Sequence, residues 1–118
     1  MSHHDKTFTI SEGVEACTFA NIDPTELAVK VHEVFISAGY HAIGEEGSTS
    51  IYEYGSKWKR ILLGAMVSYF KVSVSLRLDA NGEIIVTLKD KLGEGGGSVV
   101  KKKVKKEHQR LIAFLQEL

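Results

Sequence analysis

The sequence predicts an α+β fold, an antiparallel sheet with two helices packed on one face, in the order β-α-β-β-β-β-α. Three observations carry that expectation. Residues 24–38 place apolar side chains at helical spacing between clear start and stop signals. Residues 70–88 alternate apolar and polar side chains on either side of an Asn-Gly turn, and residues 98–118 return to helical spacing.

At 118 residues the chain is long enough for one core and too short for two, so it reads as a single domain over 1–118. Apolar residues at 43% and charged residues at 25% suit a globular protein and argue against disorder. The longest strongly apolar run, 61–70, is interrupted by Gly64, Ser68 and Tyr69. It falls far short of the roughly 20 residues that a membrane-spanning helix needs. The start, Met1 to Thr7, lacks the apolar stretch of a secretory signal. His3 and His4 read equally as native residues or as an expression remnant. One cysteine, Cys17, excludes an internal disulfide framework and suits a reducing compartment, so the expected location is cytoplasmic.

The elements follow in order. Residues 1–12 are polar and expected to fray, and Val14 to Ala20 reads as a strand. Asp23 is a helix N-cap, Pro24 occupies the first helical position, and Glu26 completes a capping-box pattern. Leu27, Val31, Val34, Phe35 and Ala38 then form one apolar stripe, and Gly39 supplies a left-handed stop. Tyr40 to Ile43 and Ser48 to Tyr54 read as short strands around a Gly44-Glu-Glu-Gly47 turn. In the next strand Phe70, Val72, Val74, Leu76 and Leu78 face a core, while Lys71, Ser73, Ser75 and Arg77 face water. Asn81-Gly82 predicts a two-residue hairpin, with Ile84, Val86 and Leu88 inward on the return strand. The glycine loop 93–97 leads to the last helix, with Ser98 as a candidate N-cap. On that helix Val100, Val104, His108, Leu111, Ile112, Leu115 and Leu118 share one face. Residues 56–67 suit a helical turn or a strand extension equally.

This order of elements resembles the TATA-binding-protein-like arrangement and the related helix-grip domains. The resemblance covers most of the chain and rests on element order alone, so it carries no site residue across. Helix-grip proteins commonly hold an apolar ligand between sheet and C-terminal helix, and TATA-binding-like proteins use the open sheet face on DNA. The resemblance therefore implies a binding role of one kind or the other.

Two clusters stand out as candidate binding sites. Lys57, Trp58, Lys59 and Arg60 combine cations with a large aromatic ring, which suits base stacking, a membrane interface or a protein partner. Lys101, Lys102, Lys103, Lys105 and Lys106 form a run that suits polyanions, although Val104 within it belongs to the buried stripe. The alternatives are a core-rim tryptophan and a solvated helix face whose lysine stems shield apolar surface. Zero net charge hides a polarity. Residues 1–55 hold nine acidic side chains against two basic ones, and the remainder holds thirteen basic against six acidic. Such halves attract a partner, a second copy or each other.

The glycine loop lacks the Lys-Ser/Thr of a phosphate-binding loop and reads as a connector. Histidines 3, 4, 32, 41 and 108 form no metal-ligand spacing with Cys17, which reads as a buried thiol. Glu45, Glu46 and Glu53 could converge as an acid/base pair across the hairpin, with a solvated turn as the simpler reading. No catalytic constellation, metal set or cofactor motif emerges. The expected function is a non-enzymatic binding or interaction module for an apolar small molecule or a protein. The alternatives are nucleic-acid or anionic-surface binding through the basic patches and self-association, as a monomer or weak homo-oligomer.

Overall fold

The structure, a computed structural model, describes residues 4–11, 14–55, 69–91 and 98–118. Six antiparallel strands form one sheet: β1 (His4–Ser11), β2 (Val14–Phe19), β3 (His41–Glu46), β4 (Thr49–Tyr54), β5 (Phe70–Leu78) and β6 (Ile84–Asp90), in the spatial order β1-β2-β6-β5-β4-β3. Among the described residues two helices, α1 (Pro24–Ser37) and α2 (Ser98–Gln116), pack on one face, giving the α+β class that the periodicities predict.

Capping chemistry fixes α1. The Asp23 carboxylate accepts from the Glu26 N–H at 3.1 Å and satisfies one orphan amide donor of the first turn. Leu27, Val31 and Phe35 are fully buried, and Gly39, at φ +98°, ends the helix in a left-handed step. On α2 the stripe Val104, His108, Leu111, Ile112 and Leu115 is buried. Both stripes meet the sheet face made by Cys17 and Phe19 of β2, Ile84, Val86 and Leu88 of β6, Val72 and Val74 of β5, and Tyr52 of β4. Side chains of both helices and four strands thus share one packed cluster.

Four expectations need correction. Residues 4–11, read from the sequence as a polar lead-in outside the sheet, form its edge strand β1, with Thr7 opposite Cys17 and Phe8 opposite Ala16. The run Thr7-Phe-Thr-Ile10 is strongly β-forming, and it covers backbone groups that β2 would otherwise leave unpaired. The β3–β4 turn is tighter than Gly44–Gly47, because β3 runs on to Glu46 and only Gly47 and Ser48 turn. Gly47 takes φ +63°, while Gly44 sits by a bulge in the ladder.

The β5–β6 hairpin is not a two-residue turn. Asp79 N–H donates to the Glu83 carbonyl at 2.8 Å across a loop in which only Gly82 has positive φ. The Asp79 carboxylate accepts from the amides of Asn81 and Glu83, each at 2.9 Å, so the aspartate shapes the loop. Finally, the far face of the sheet is not wholly wet. Ala16, Thr18 and Ser73 are buried there, short side chains on interior strands, and Leu78 on the core face is 61% exposed where β5 outruns the helices.

Trp58, Lys57, Lys59 and Arg60, the ambiguous segment 56–67 and the glycine loop 93–97 lie outside the described residues.

A cationic and aromatic cleft beside the C-terminal helix

A ladder of aromatic rings crosses the core from α1 to the sheet margin. Phe35 stacks on Tyr52 with ring centroids 4.6 Å apart and meets Tyr40 edge-on at 5.3 Å. Tyr40 meets Tyr54 at 5.3 Å, and Tyr54 meets Phe70 at 6.0 Å. The inward alternation of β4 and the first position of β5 supply the last two rings, since Tyr54 pairs directly with Phe70. Gly39 lets Tyr54 approach: a Cβ there would lie 2.9 Å from the Tyr54 ring.

Tyr54 and Phe70 floor a cleft of about 250 Å³ whose other wall is α2, through Lys103, Lys106, Glu107 and Arg110. The spacing explains the wall, because residues three, four and seven apart share a helix face. Glu107 is nine-tenths buried and heavily partnered. It accepts from the Tyr40 hydroxyl at 2.6 Å and takes both arms of Arg110, from Nε at 2.8 Å and from Nη2 at 2.6 Å. Arg110 Nη2 also reaches the Ala38 carbonyl at 3.4 Å, tying α2 to the C-terminal end of α1. Burial, then the bond to Glu107, pushes the Tyr40 phenol well above its ordinary range, and the bond to Glu107 raises the Arg110 guanidinium further. Tyr40 therefore stays a donor and Arg110 a fixed cation. With Glu107 paired to Arg110, the cleft sets the ammonium-bearing side chains of Lys103 and Lys106 beside the rings of Tyr54 and Phe70.

The basic run divides as helical geometry requires. Lys102, Lys105 and Lys106 are exposed and Lys103 is half-buried. The side chain of Lys101 lies outside the described residues. Lys103 and Lys106 are the two run members that line the cleft, while Tyr54, Phe70 and Arg110 were missed as site residues. Their signal was present in sequence as two inward aromatic positions on adjoining strands and a Glu107–Arg110 pair flanking the buried stripe.

Two ionisable groups lie beneath α2. His108 is 1% exposed, and among the described residues neither ring nitrogen has a hydrogen-bond partner. Burial lowers its pKa below the ordinary 6.5, against the attraction of Asp90 and Glu107. Glu15 on β2 is 7% exposed, and burial raises its carboxyl pKa, opposed by the nearby Lys105 ammonium. Elsewhere Glu53 accepts from the Tyr69 hydroxyl at 2.5 Å and pairs with His41 at 3.1 Å, while Glu45 and Glu46 are exposed. The Tyr69 phenol is pushed up to about 12 by burial and by Glu53, so it remains protonated. The glutamate trio thus makes a sheet-edge bond and a wet turn.

A second, wider groove of about 610 Å³ runs between α1 and the end of α2, with Val34, Ala38, Phe114 and Leu118 among Lys30, Glu33 and Glu117. Among the described residues no cluster of three or more His, Cys, Asp or Glu side chains could hold a metal ion, and no helix is long and apolar enough to cross a membrane. No protein-family model matches the chain, and no curated protein matches it in sequence.

Proposed function

We propose that the protein is a non-enzymatic binding module of a reducing, cytoplasmic compartment. It takes a ligand that joins an anionic group to a flat apolar one, in the cleft between the sheet margin and α2. The observation that carries this reading is the pairing of Lys103 and Lys106 with the ring faces of Tyr54 and Phe70 across one cleft. The cations supply attraction to a carboxylate, phosphate or sulfonate, and the rings supply apolar contact. Arg110, fixed by Glu107 and Tyr40, holds the wall in place. The resemblance in element order to helix-grip domains supports the same choice, since the ligand would lie between sheet and C-terminal helix. With both helices and the sheet sharing one packed cluster, the reading falls on its margin.

Titration of the isotope-labelled protein with phenyl phosphate, inorganic phosphate and benzyl alcohol tests it. Phenyl phosphate should shift the amides around Tyr54, Phe70, Lys103 and Lys106 and bind at least tenfold more tightly than either fragment, and Lys103→Glu/Lys106→Glu should abolish those shifts. Shifts elsewhere, or binding unchanged in the double variant, would overturn it.

A second reading, polyanion binding, is favoured by the exposed Lys102, Lys105 and Lys106 along α2. It requires affinity for single-stranded nucleic acid that falls steeply with salt, by a slope of about −0.7 per phosphate neutralised.

A further inference from the structure

We propose that His108 makes the docking of α2 acid-sensitive: protonation of the buried imidazole releases the helix from the sheet. The geometry comes first. His108 sits mid-stripe among Val104, Leu111, Ile112 and Leu115, all buried, against a sheet face of Cys17, Val86 and Leu88. Both of its ring nitrogens are shut away from water and make no hydrogen bond among the described residues. A neutral imidazole in that position gives up its hydrogen bonds with water. A charged one also gives up far more hydration, so it cannot stay there unpaired.

The surrounding charges do not rescue it. Asp90, at the end of β6, and Glu107, beside it on α2, attract an imidazolium through space, but neither hydrogen-bonds it. Glu107 is already committed to Tyr40 and Arg110. On β2, Glu15 feels the attraction of Lys105 on α2. On α1, Lys30 and Glu33 line the groove at the Phe114 end of α2.

The direction follows from linkage. Docked, His108 has a lowered pKa. Released, it returns to the ordinary value of about 6.5. Above that value both states are neutral and docking is at full strength. Below it the released state takes a proton that the docked state refuses, so each further pH unit favours release by up to tenfold until the docked pKa is reached. Glu15 works the other way, because its raised pKa lets the docked state hold a proton more tightly as pH falls. The signature of His108 is therefore a difference between proteins that both keep Glu15. Release carries Lys103, Lys106 and Arg110 away from Tyr54 and Phe70, whatever ligand the cleft takes.

The test is amide hydrogen exchange along α2 at pH 7.5 and 5.5, corrected for intrinsic exchange rates, in the wild type and in His108→Leu. Over that interval the opening constant of α2 should rise about tenfold more in the wild type than in His108→Leu. An equal pH response in the two proteins overturns the proposal. Should His108→Leu fail to fold, imidazole NMR of the wild type decides. His108 should stay neutral wherever α2 remains protected, and an imidazolium forming near pH 6.5 inside a protected α2 refutes the proposal.

Discussion

Replacing Arg110 with leucine should destabilise the fold, and removing Glu107 as well should restore part of the loss. In the single variant Glu107 keeps only the Tyr40 hydroxyl, at 2.6 Å, while its carboxylate stays nine-tenths buried. Removing one partner of a fully buried ion pair costs about 3–5 kcal/mol. Here the Arg110 side chain is 39% exposed, so water screens the pair and about 2–3 kcal/mol is the fitting range. In Arg110→Leu/Glu107→Leu the stranded charge is gone and the Tyr40 hydroxyl, on a residue 3% exposed, is the group left unpaired, at about 1–2 kcal/mol. Urea unfolding followed by circular dichroism reads the difference. With a slope of about 1–3 kcal/mol per molar urea, the single variant should lose about 1–2 M of midpoint and the double variant less. Costs of the two single substitutions that simply add in the double variant would refute the reasoning, since additivity means the groups do not depend on each other.

Two other perturbations have definite signs. Gly39→Ala must force an L residue to φ +98° and drive a Cβ to within 2.9 Å of Tyr54. It should cost about 2–3 kcal/mol and perturb the cleft floor, whereas Gly47→Ala, at φ +63° in open space, should cost about 1 kcal/mol, both read from thermal midpoints. Glu15→Gln should stabilise at pH 7, because burial penalises the charged carboxylate and the amide is never charged. The raised pKa makes the native carboxylate a liability above that pKa and relieves it as pH falls toward 4.5, so the advantage should shrink between pH 7 and 4.5 in paired urea titrations.

Much of the fold was legible because its signals are local. The Asp23-Pro24 start, the Gly39 stop and the stripe on α2 each follow from a few neighbouring residues, and the 70–88 alternation fixes which strand faces are buried. The N-terminal strand was not legible from polarity, because its place is set by backbone pairing along β2, which no local spacing announces. The hairpin at 79–83 misled because Asn-Gly also fits a longer loop, and the Asp79 carboxylate decided between them. At the site, the lysine run was visible but its division was not. Only the sheet shows that Lys103 and Lys106 face rings while Lys102 and Lys105 face water. The Tyr40–Glu107 bond joins residues far apart in sequence, and no spacing rule connects them.

The strand order has a consequence for how the chain assembles. β2 lies between its sequence neighbour β1 and the distant β6, with Phe19 opposite Ile84. A lone two-stranded ribbon is barely stable in water, so the β1–β2 hairpin waits for a strand that follows it in the chain only after β3, β4 and β5. Closing that long loop must be offset by the contacts it brings, which places this topology toward the slow, high-contact-order end for its size. Until β6 is in place, the chain holds a hairpin and a helix without the strand that joins them.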